Sequence, residues 1–476
     1  MPPILALLLT LVFIGYLLRR ESKEEPRISA AVWIPTLWLM INGSRQVSIW
    51  FDLGSSFAAQ RLEEGTSVDK AVYGALIFAG IVVLARRQVR VGEIIRNNLW
   101  FWLFFLYEGL SVLWSDFPLV AFKRWGKAVG DPVMVLILWS ELVPARAVTA
   151  AIKRCAYVLI PLSILFCKYY ENLGRTFDPW GGSAYTGVTT DKNMLGYLLF
   201  AFGLFFAASL MSNLGSPRDD SNPDRPTQAI NVLFLIMIGW LLLIANSKTA
   251  SLALAAGVVL VGASRFTTVR RHFWSYAFGA IILGVVSEAL FSVSGSLVEA
   301  AGRDTTLTGR TGLWQTLLQV PVNPFFGVGY ASFWLGDRLG KLWALYPGSP
   351  PIEAHNGYLE VYLSLGLIGL CLVVAVLWAG LRRMQGRLAS TVSARGSDND
   401  RVIAIFGIAY GAAYLFYNVT EATFQGLNFL FIIFLILSFD YRQARERVQR
   451  APHGVSTARW HRQVKRRPAE GMRWRR

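Results

Sequence analysis

The chain has 476 residues, of which 54% are hydrophobic, 13% aromatic and only 16% charged. That is too little polar surface to cover a soluble globule of this size, so the composition excludes one and points to a membrane protein. The formal charge of +17 is no sign of nucleic acid: the basic residues concentrate in short loops and in the tail from Arg442 to Arg476, as the positive-inside rule produces, and no nucleic-acid module accompanies them.

Apolar runs recur along the chain: "PILALLLTLVFIGYLL", "GALIFAGIVVLA", "LWFWLFFLYEGLSVLW", "VLIPLSILF", "INVLFLIMIGWLLLIA" and "LNFLFIIFLILSF". Each is near the roughly 20 residues that span a bilayer as a helix, or is shorter and flanked by turns that can extend it. The first lacks a small-residue cleavage site and ends in Arg19-Arg20, which reads as a retained span. Cys155, Cys167 and Cys371 lie in or beside spans with no paired spacing, so neither a disulfide framework nor a zinc site is expected. The predicted fold is all-α, a polytopic membrane protein with about 12–13 transmembrane helices and one large periplasmic loop. Residues 1–293 hold about ten spans, 294–355 the large loop, 356–441 about three further spans, and 442–476 a basic cytoplasmic tail.

With the tail placed inside, the basic clusters at 19–27, 86–96, 146–154, 218–225, 265–271 and 382–401 also fall inside. Lys123, Arg124 and Lys127 are the exception; either the count errs by a span there or those charges act outside. Three segments are left on the outer side: 169–193, the "NSKT" turn at 246–249, and the stretch from Ser294 to His355. His272, His453 and His461 fall in cytoplasmic segments, which makes His355 the one outer imidazole available as a general base.

His355 opens "AHNGYLEVYLSLGLIG". A helix beginning there carries positions 359, 362, 366 and 369 or 370 down one face, so Gly366 and Gly369 would lie under His355 and let another backbone approach. Asn356 is a candidate N-cap and a candidate pyrophosphate- or glycan-binding residue, and a helix N-terminus favours the neutral imidazole that a base requires. A mere cap at headgroup level is the competing reading of this stretch. Arg303, Arg310, Lys248, Arg175 and Lys192 supply cations on the same outer side, where the expected anions are lipid-linked phosphates or pyrophosphates. There is no GxxxxGK[ST], HExxH or GxSxG. Asp398-Asn399-Asp400 reads as a polar turn rather than a metal pair, and "GVG" at 327–329 as a turn in the outer loop.

The "HN" pair, nine residues and then "GLIG", preceded by "GRTGLW" and "NPFFGVGYASFW", resembles the signature of the O-antigen ligase and Wzy-type polymerase superfamily. "DKNMLGY" and "AHNGYLE" are most similar to the polymerases of bacterial exopolysaccharides of the succinoglycan type. The resemblance implies a metal-independent, inverting glycosyltransferase without cofactors in the bacterial inner membrane. It would work in the periplasmic leaflet on undecaprenyl-pyrophosphate-linked oligosaccharide donors and acceptors, with a chain-length-regulating copolymerase as a candidate partner. Carried over residue by residue, His355 is the motif histidine and Arg310 the loop arginine, with Arg303 nearby. Lys248 stands where many ligases have arginine, and offers a point charge instead of a fork. Ligase-type transfer of finished glycan to a lipid acceptor is the alternative within this chemistry. A saccharide transporter is the alternative of another class, disfavoured because no inverted repeat is evident.

Overall fold

The computed structural model describes residues 1–25, 28–51, 66–177, 183–213, 225–273, 310–346, 350–393 and 397–441. Its main helices, in order, are α1 (Pro3–Glu24), α2 (Trp33–Asn42), α3 (Ser67–Arg86), α4 (Leu99–Leu110), α5 (Pro118–Ala128), α6 (Gly130–Trp139) and α7 (Pro144–Tyr169). There follow α8 (Lys192–Asn213), α9 (Arg225–Ala245), α10 (Lys248–Ala263), α11 (Arg310–Gln319), α12 (Gly336–Leu345), α13 (Gly357–Ser393), α14 (Asp398–Thr420) and α15 (Phe429–Ser438). A small antiparallel hairpin, β1 (Arg175–Phe177) and β2 (Ser183–Tyr185), pairs Arg175 with Tyr185.

The chain is an all-α, multi-pass membrane protein. Among the described residues seven helices are long and apolar enough to cross a bilayer, and four shorter apolar ones join them: Ala30–Asn42, Leu99–Trp114, Lys248–Ala263 and Phe429–Ser438. The apolar stretch of α8 is 83% buried and that of α14 78%, against 17% for α1 and 28% for α9, so α8 and α14 form the centre and α1 and α9 the rim. Rim residues such as Ile4, Val12, Ile236 and Leu243 face outward, where only hydrocarbon would accept so continuous an apolar surface. The centre is aromatic: Phe200 stacks on both Tyr410 and Tyr417, and Tyr414 stacks on Tyr410 and Phe434.

One end of the bundle gathers basic side chains. Arg154 makes a two-point ion pair with Glu21 at 2.7 and 3.1 Å, Arg87 pairs with Glu141, and Arg383 donates to Asn98 Oδ1 at 3.0 Å and Ser438 O at 3.1 Å. Asp398-Asn399-Asp400 lies there too, and its role is structural: Asp400 completes a capping box with Ser397 at the start of α14. The tail from Arg442 lies outside the described residues.

The opposite end carries the segment before His355. Its described part contributes Leu313, Leu317, Val328, Phe333, Leu342 and Ala354 to a small core that Leu363 of α13 completes. The segment is fastened to α13 by a device that a regular helix could not supply. Gly366 has φ +66° and ψ −166°, which breaks α13. The freed amides of Leu367 and Ile368 donate to Pro324 O at 2.8 Å and Phe325 O at 3.3 Å. The amides of Val328 and Gly329 in turn donate to Leu363 O and Ser364 O. A Cβ on Gly366 would stand 2.2 Å from the Phe325 backbone, and one on Gly327 2.4 Å from Ser364. "GVG" is thus a turn, as expected, with φ +67° at Gly327 and +96° at Gly329.

This corrects the expectation of one unbroken helix with both glycines under His355. Gly366 ends the first helical piece and docks loop backbone, while a Cβ on Gly369 would meet Leu365 of the preceding turn, 2.2 Å away. The exceptional basic cluster has work at this same end: Arg124 donates to Ala331 O beside the turn. Ser115 and Ser332 hydroxyls meet at 2.6 Å, and Arg338 pairs with Asp116 at 2.6 Å.

Gly366→Ala should therefore destabilise the protein by at least the ~1–3 kcal/mol of a forbidden backbone conformation, seen as a lowered melting temperature in detergent. Gly340→Ala, at a site with nothing within 4 Å of the new methyl, should not. Equal melting of the two variants would contradict the docking role.

Candidate functional site

The site is built on the C-terminal end of α14. Asn418 Oδ1 accepts from Thr423 N at 3.1 Å and Thr423 Oγ1 at 2.8 Å, while its Nδ2 donates to Tyr414 O at 3.0 Å. That network turns the chain just past the helix and leaves Glu421 extended and buried, 1% exposed. Gly357 seats directly on Asn418, where a Cβ would be 2.4 Å from Oδ1. The start of α13 thereby meets the end of α14, and His355, two residues earlier, faces Glu421.

Arg310, the first residue of α11, arrives at the same carboxylate. Its Nη2 donates to Glu421 Oε1 at 3.0 Å and its Nη1 to Thr420 O, a carbonyl exposed by the helix end. His355 Nδ1 lies 2.9 Å from Glu353 Oε1 and 3.5 Å from Glu421 Oε2. Both distances are those of ion pairs, but the ring N–H is aimed at neither oxygen, and Nδ1 and Glu421 Oε2 complete no hydrogen bond among the described residues. Glu421 thus joins the two cations that the sequence singled out. Breaking a buried pair of this kind by removing one partner costs about 3–5 kcal/mol.

His355 is held in a left-handed conformation, φ +47°, which costs an ordinary side chain about 1–2 kcal/mol. Its neighbours enforce it. Asn356 Oδ1 caps α13, accepting from Tyr358 N and Leu359 N at 3.1 Å each. Trp314 Nε1 donates to Ala354 O at 2.8 Å, Ala354 N to Glu360 Oε2 at 2.9 Å, and Trp334 Nε1 to Glu360 Oε1 at 2.6 Å. Asn356 is therefore the cap that the sequence suggested, with its oxygen committed to that task.

The expected neutral imidazole faces two carboxylates that favour its charged form. Burial pulls the His355 pKa down, but the facing carboxylates of Glu353 and Glu421 pull it up further, to about 9. Glu353 is raised by burial, relieved by His355, and raised again by the charges of Glu421 and Asp191. The adjoining helix start, with its favourable N-terminal field, is outweighed by two full charges nearby.

The remaining expected residues divide. Asp191 caps α8, accepting from Asn193 N and Met194 N at 2.9 Å, and leaves Lys192 exposed on the first turn. Lys248 begins α10 half-buried, next to Ser247, which packs against Gly196 near the start of α8. Both helix starts lie at the His355 end. Arg175 serves its own hairpin: it pairs with Glu171 at 3.0 Å, donates to Cys167 O at 3.3 Å and stacks over Tyr185. Arg303 lies outside the described residues.

Glu353, His355 and Glu421 offer ligand atoms within 4.8 Å of one another, a separation that a divalent cation could bridge. Two protein cations, Arg310 and the His355 imidazolium, already face those two carboxylates. Glu421 itself was not foreseen from the sequence, although a lone acid closing the apolar run of α14 is the kind of signal that could have found it.

Comparison with known proteins agrees with the resemblance. The family described as O-Antigen ligase matches residues 232–374, which contain Lys248, Arg310, His355, Gly366 and Gly369 but stop before Glu421. The chain is 28% identical over 292 residues to Exopolysaccharide production protein ExoQ of Rhizobium meliloti (strain 1021). That match covers 59% of this chain and 64% of the relative, a little under two thirds of the relative's length.

Because its folded pKa lies above the ordinary value, His355 keeps its proton at neutral pH and sheds it only as the pH passes about 9. Carbethoxylation of the His355 peptide, which needs the neutral ring, should turn on near pH 9 and shift downward in Glu353→Gln. A midpoint near pH 6.5 in the unaltered protein would contradict the pairing.

Proposed function

We propose that this protein is a membrane glycosyltransferase that polymerises undecaprenyl-pyrophosphate-linked oligosaccharide repeats into exopolysaccharide at the periplasmic face of the bacterial inner membrane. The observation that carries the reading is the meeting of Arg310 and His355 on one buried carboxylate, Glu421, within a segment that matches the ligase family in large part. The similarity to an exopolysaccharide production protein favours polymer growth over ligase-type transfer. Residues 294–355 would be the large periplasmic loop, and a copolymerase remains a candidate partner.

In the proposed mechanism Arg310 and the His355 imidazolium bind the donor pyrophosphate, with Lys248, Lys192, Arg303 and Arg175 as further candidate cations. They neutralise the charge that grows on it as the glycosidic bond breaks. An acceptor sugar hydroxyl attacks the anomeric carbon from the opposite face, so the new C–O bond inverts the centre. The old C–O bond breaks with its electron pair going to the pyrophosphate. The hydroxyl proton passes to a carboxylate, and Glu421 Oε2, buried beside the ring and without a hydrogen bond among the described residues, is the base we assign. This revises the role that the sequence suggested for His355, from base to cation. The rate distinguishes them: activity lost above pH 9 follows from a catalytic imidazolium, and activity rising toward pH 9 from a histidine base.

We also propose that the reaction needs no metal, since protein cations balance the two carboxylates. A strain with His355→Ala should keep the protein in the membrane and accumulate single lipid-linked repeats without polymer. Long carrier-linked chains would indicate a ligase, and normal polymer would refute the assignment. Purified enzyme should keep its rate in excess chelator; restoration of a lost rate by Mg²⁺ or Mn²⁺ would refute the metal-free reading.

A further inference from the structure

The aromatic centre of the bundle holds, next to the site, one polar atom for which the described residues offer no hydrogen-bond partner. Tyr417 lies on α14 one turn before Glu421, is 0% exposed, and its hydroxyl has no hydrogen-bond partner among the described residues. Its ring is fixed between Phe200, stacked with centroids 5.1 Å apart, and Tyr197, met edge-on at 5.7 Å. Tyr417 and Glu421 are four residues apart, which sets them on one face of the helix end that carries the site. Tyr414 and Tyr410, one and two turns deeper on the same helix, both donate hydrogen bonds, to Thr423 O at 3.3 Å and Leu430 O at 2.7 Å respectively. The tyrosine nearest the site is the one left unsatisfied.

Tyr417 Oη thus has no hydrogen bond among the described residues, and one turn on, Glu421 Oε2 faces His355 Nδ1 at 3.5 Å without completing one. A buried polar atom without a partner costs about 1–3 kcal/mol, so a group of them outlines a ligand more readily than a packing defect. Tyr417 can donate and Glu421 Oε2 can accept, and the group that answers both is a hydroxyl.

We infer that Tyr417 and Glu421 form the acceptor subsite, in which the Tyr417 hydroxyl donates to the oxygen of the attacking sugar hydroxyl while Glu421 Oε2 accepts its proton. The inference rests on the proposed glycosyltransferase reading and adds to it the ligand that these two side chains hold. Arg310 pairs with Glu421 Oε1; the donor pyrophosphate would compete for its guanidinium and so free the carboxylate for the acceptor. Tyr417 then acts by fixing the hydroxyl oxygen, with no proton lost from the tyrosine.

The test uses the full-length protein in lipid nanodiscs, with lipid-linked oligosaccharide extracted from cells carrying His355→Ala as donor and acceptor. Tyr417→Phe removes one oxygen and keeps the stacked ring, so it should melt at or above the temperature of the unaltered protein. Its turnover should fall about 10- to 100-fold, the worth of one well-placed hydrogen bond to a charged or reacting group. Inhibition by undecaprenyl pyrophosphate should stay unchanged, because the donor side is intact. Full turnover in Tyr417→Phe alongside an inactive His355→Ala would overturn this inference alone. A lower melting temperature would also overturn it, by showing that the hydroxyl has a structural partner. Polymerisation by His355→Ala would instead overturn the glycosyltransferase reading beneath it.

Discussion

A single buried carboxylate organises the functional end of this protein. Glu421 closes the most central helix pair of the bundle and receives Arg310 from α11 and His355 from the start of α13. Taking that charge out of water is unfavourable unless cations follow it, so the carboxylate and its partners enforce each other. The requirement also explains why His355 tolerates a left-handed backbone and retains its proton: the strain and the charge are both held by neighbours with few alternatives.

Around that pair the segment from Arg310 to His355 is moored at two places. One is the break at Gly366, where the loop backbone from Pro324 to Gly329 completes the hydrogen bonds that the interrupted helix gives up. In a membrane protein those amides would otherwise face hydrocarbon, so the loop satisfies the helix as much as the helix anchors the loop. The other is the α4–α5 corner, through Ser111, Ser115 and Arg124. Rigidity at both moorings fixes His355 and Arg310 relative to the bundle, as the proposed alignment of a pyrophosphate with an attacking hydroxyl would require.

The membrane class, the all-helical fold and the grouping of His355 with Arg310 were legible in the sequence because hydropathy and short motifs are local signals. The Gly-rich motifs were legible only in part. "GLIG" read as a packing face, since helical periodicity carries no sign of a broken helix, whereas the φ of Gly366 depends on a partner some forty residues upstream. The charge environment of His355 was hidden for a similar reason: the local helix start was visible, but Glu421 lies 66 residues further along and comes near only through the seat of Gly357 on Asn418. Arg175 read as one more outer cation, and its pairing with Glu171 and its stacking over Tyr185 within its own hairpin were not visible from that position alone.

The most direct test of the central claim is a cryo-electron microscopy structure of the protein in nanodiscs with undecaprenyl pyrophosphate bound. The account predicts density for the pyrophosphate between Arg310 and the His355 ring, with the guanidinium drawn away from Glu421 Oε1 and the carboxylate left facing Tyr417. Pyrophosphate bound elsewhere, with the Arg310–Glu421 pair intact, would contradict it and leave that pair a purely structural clasp.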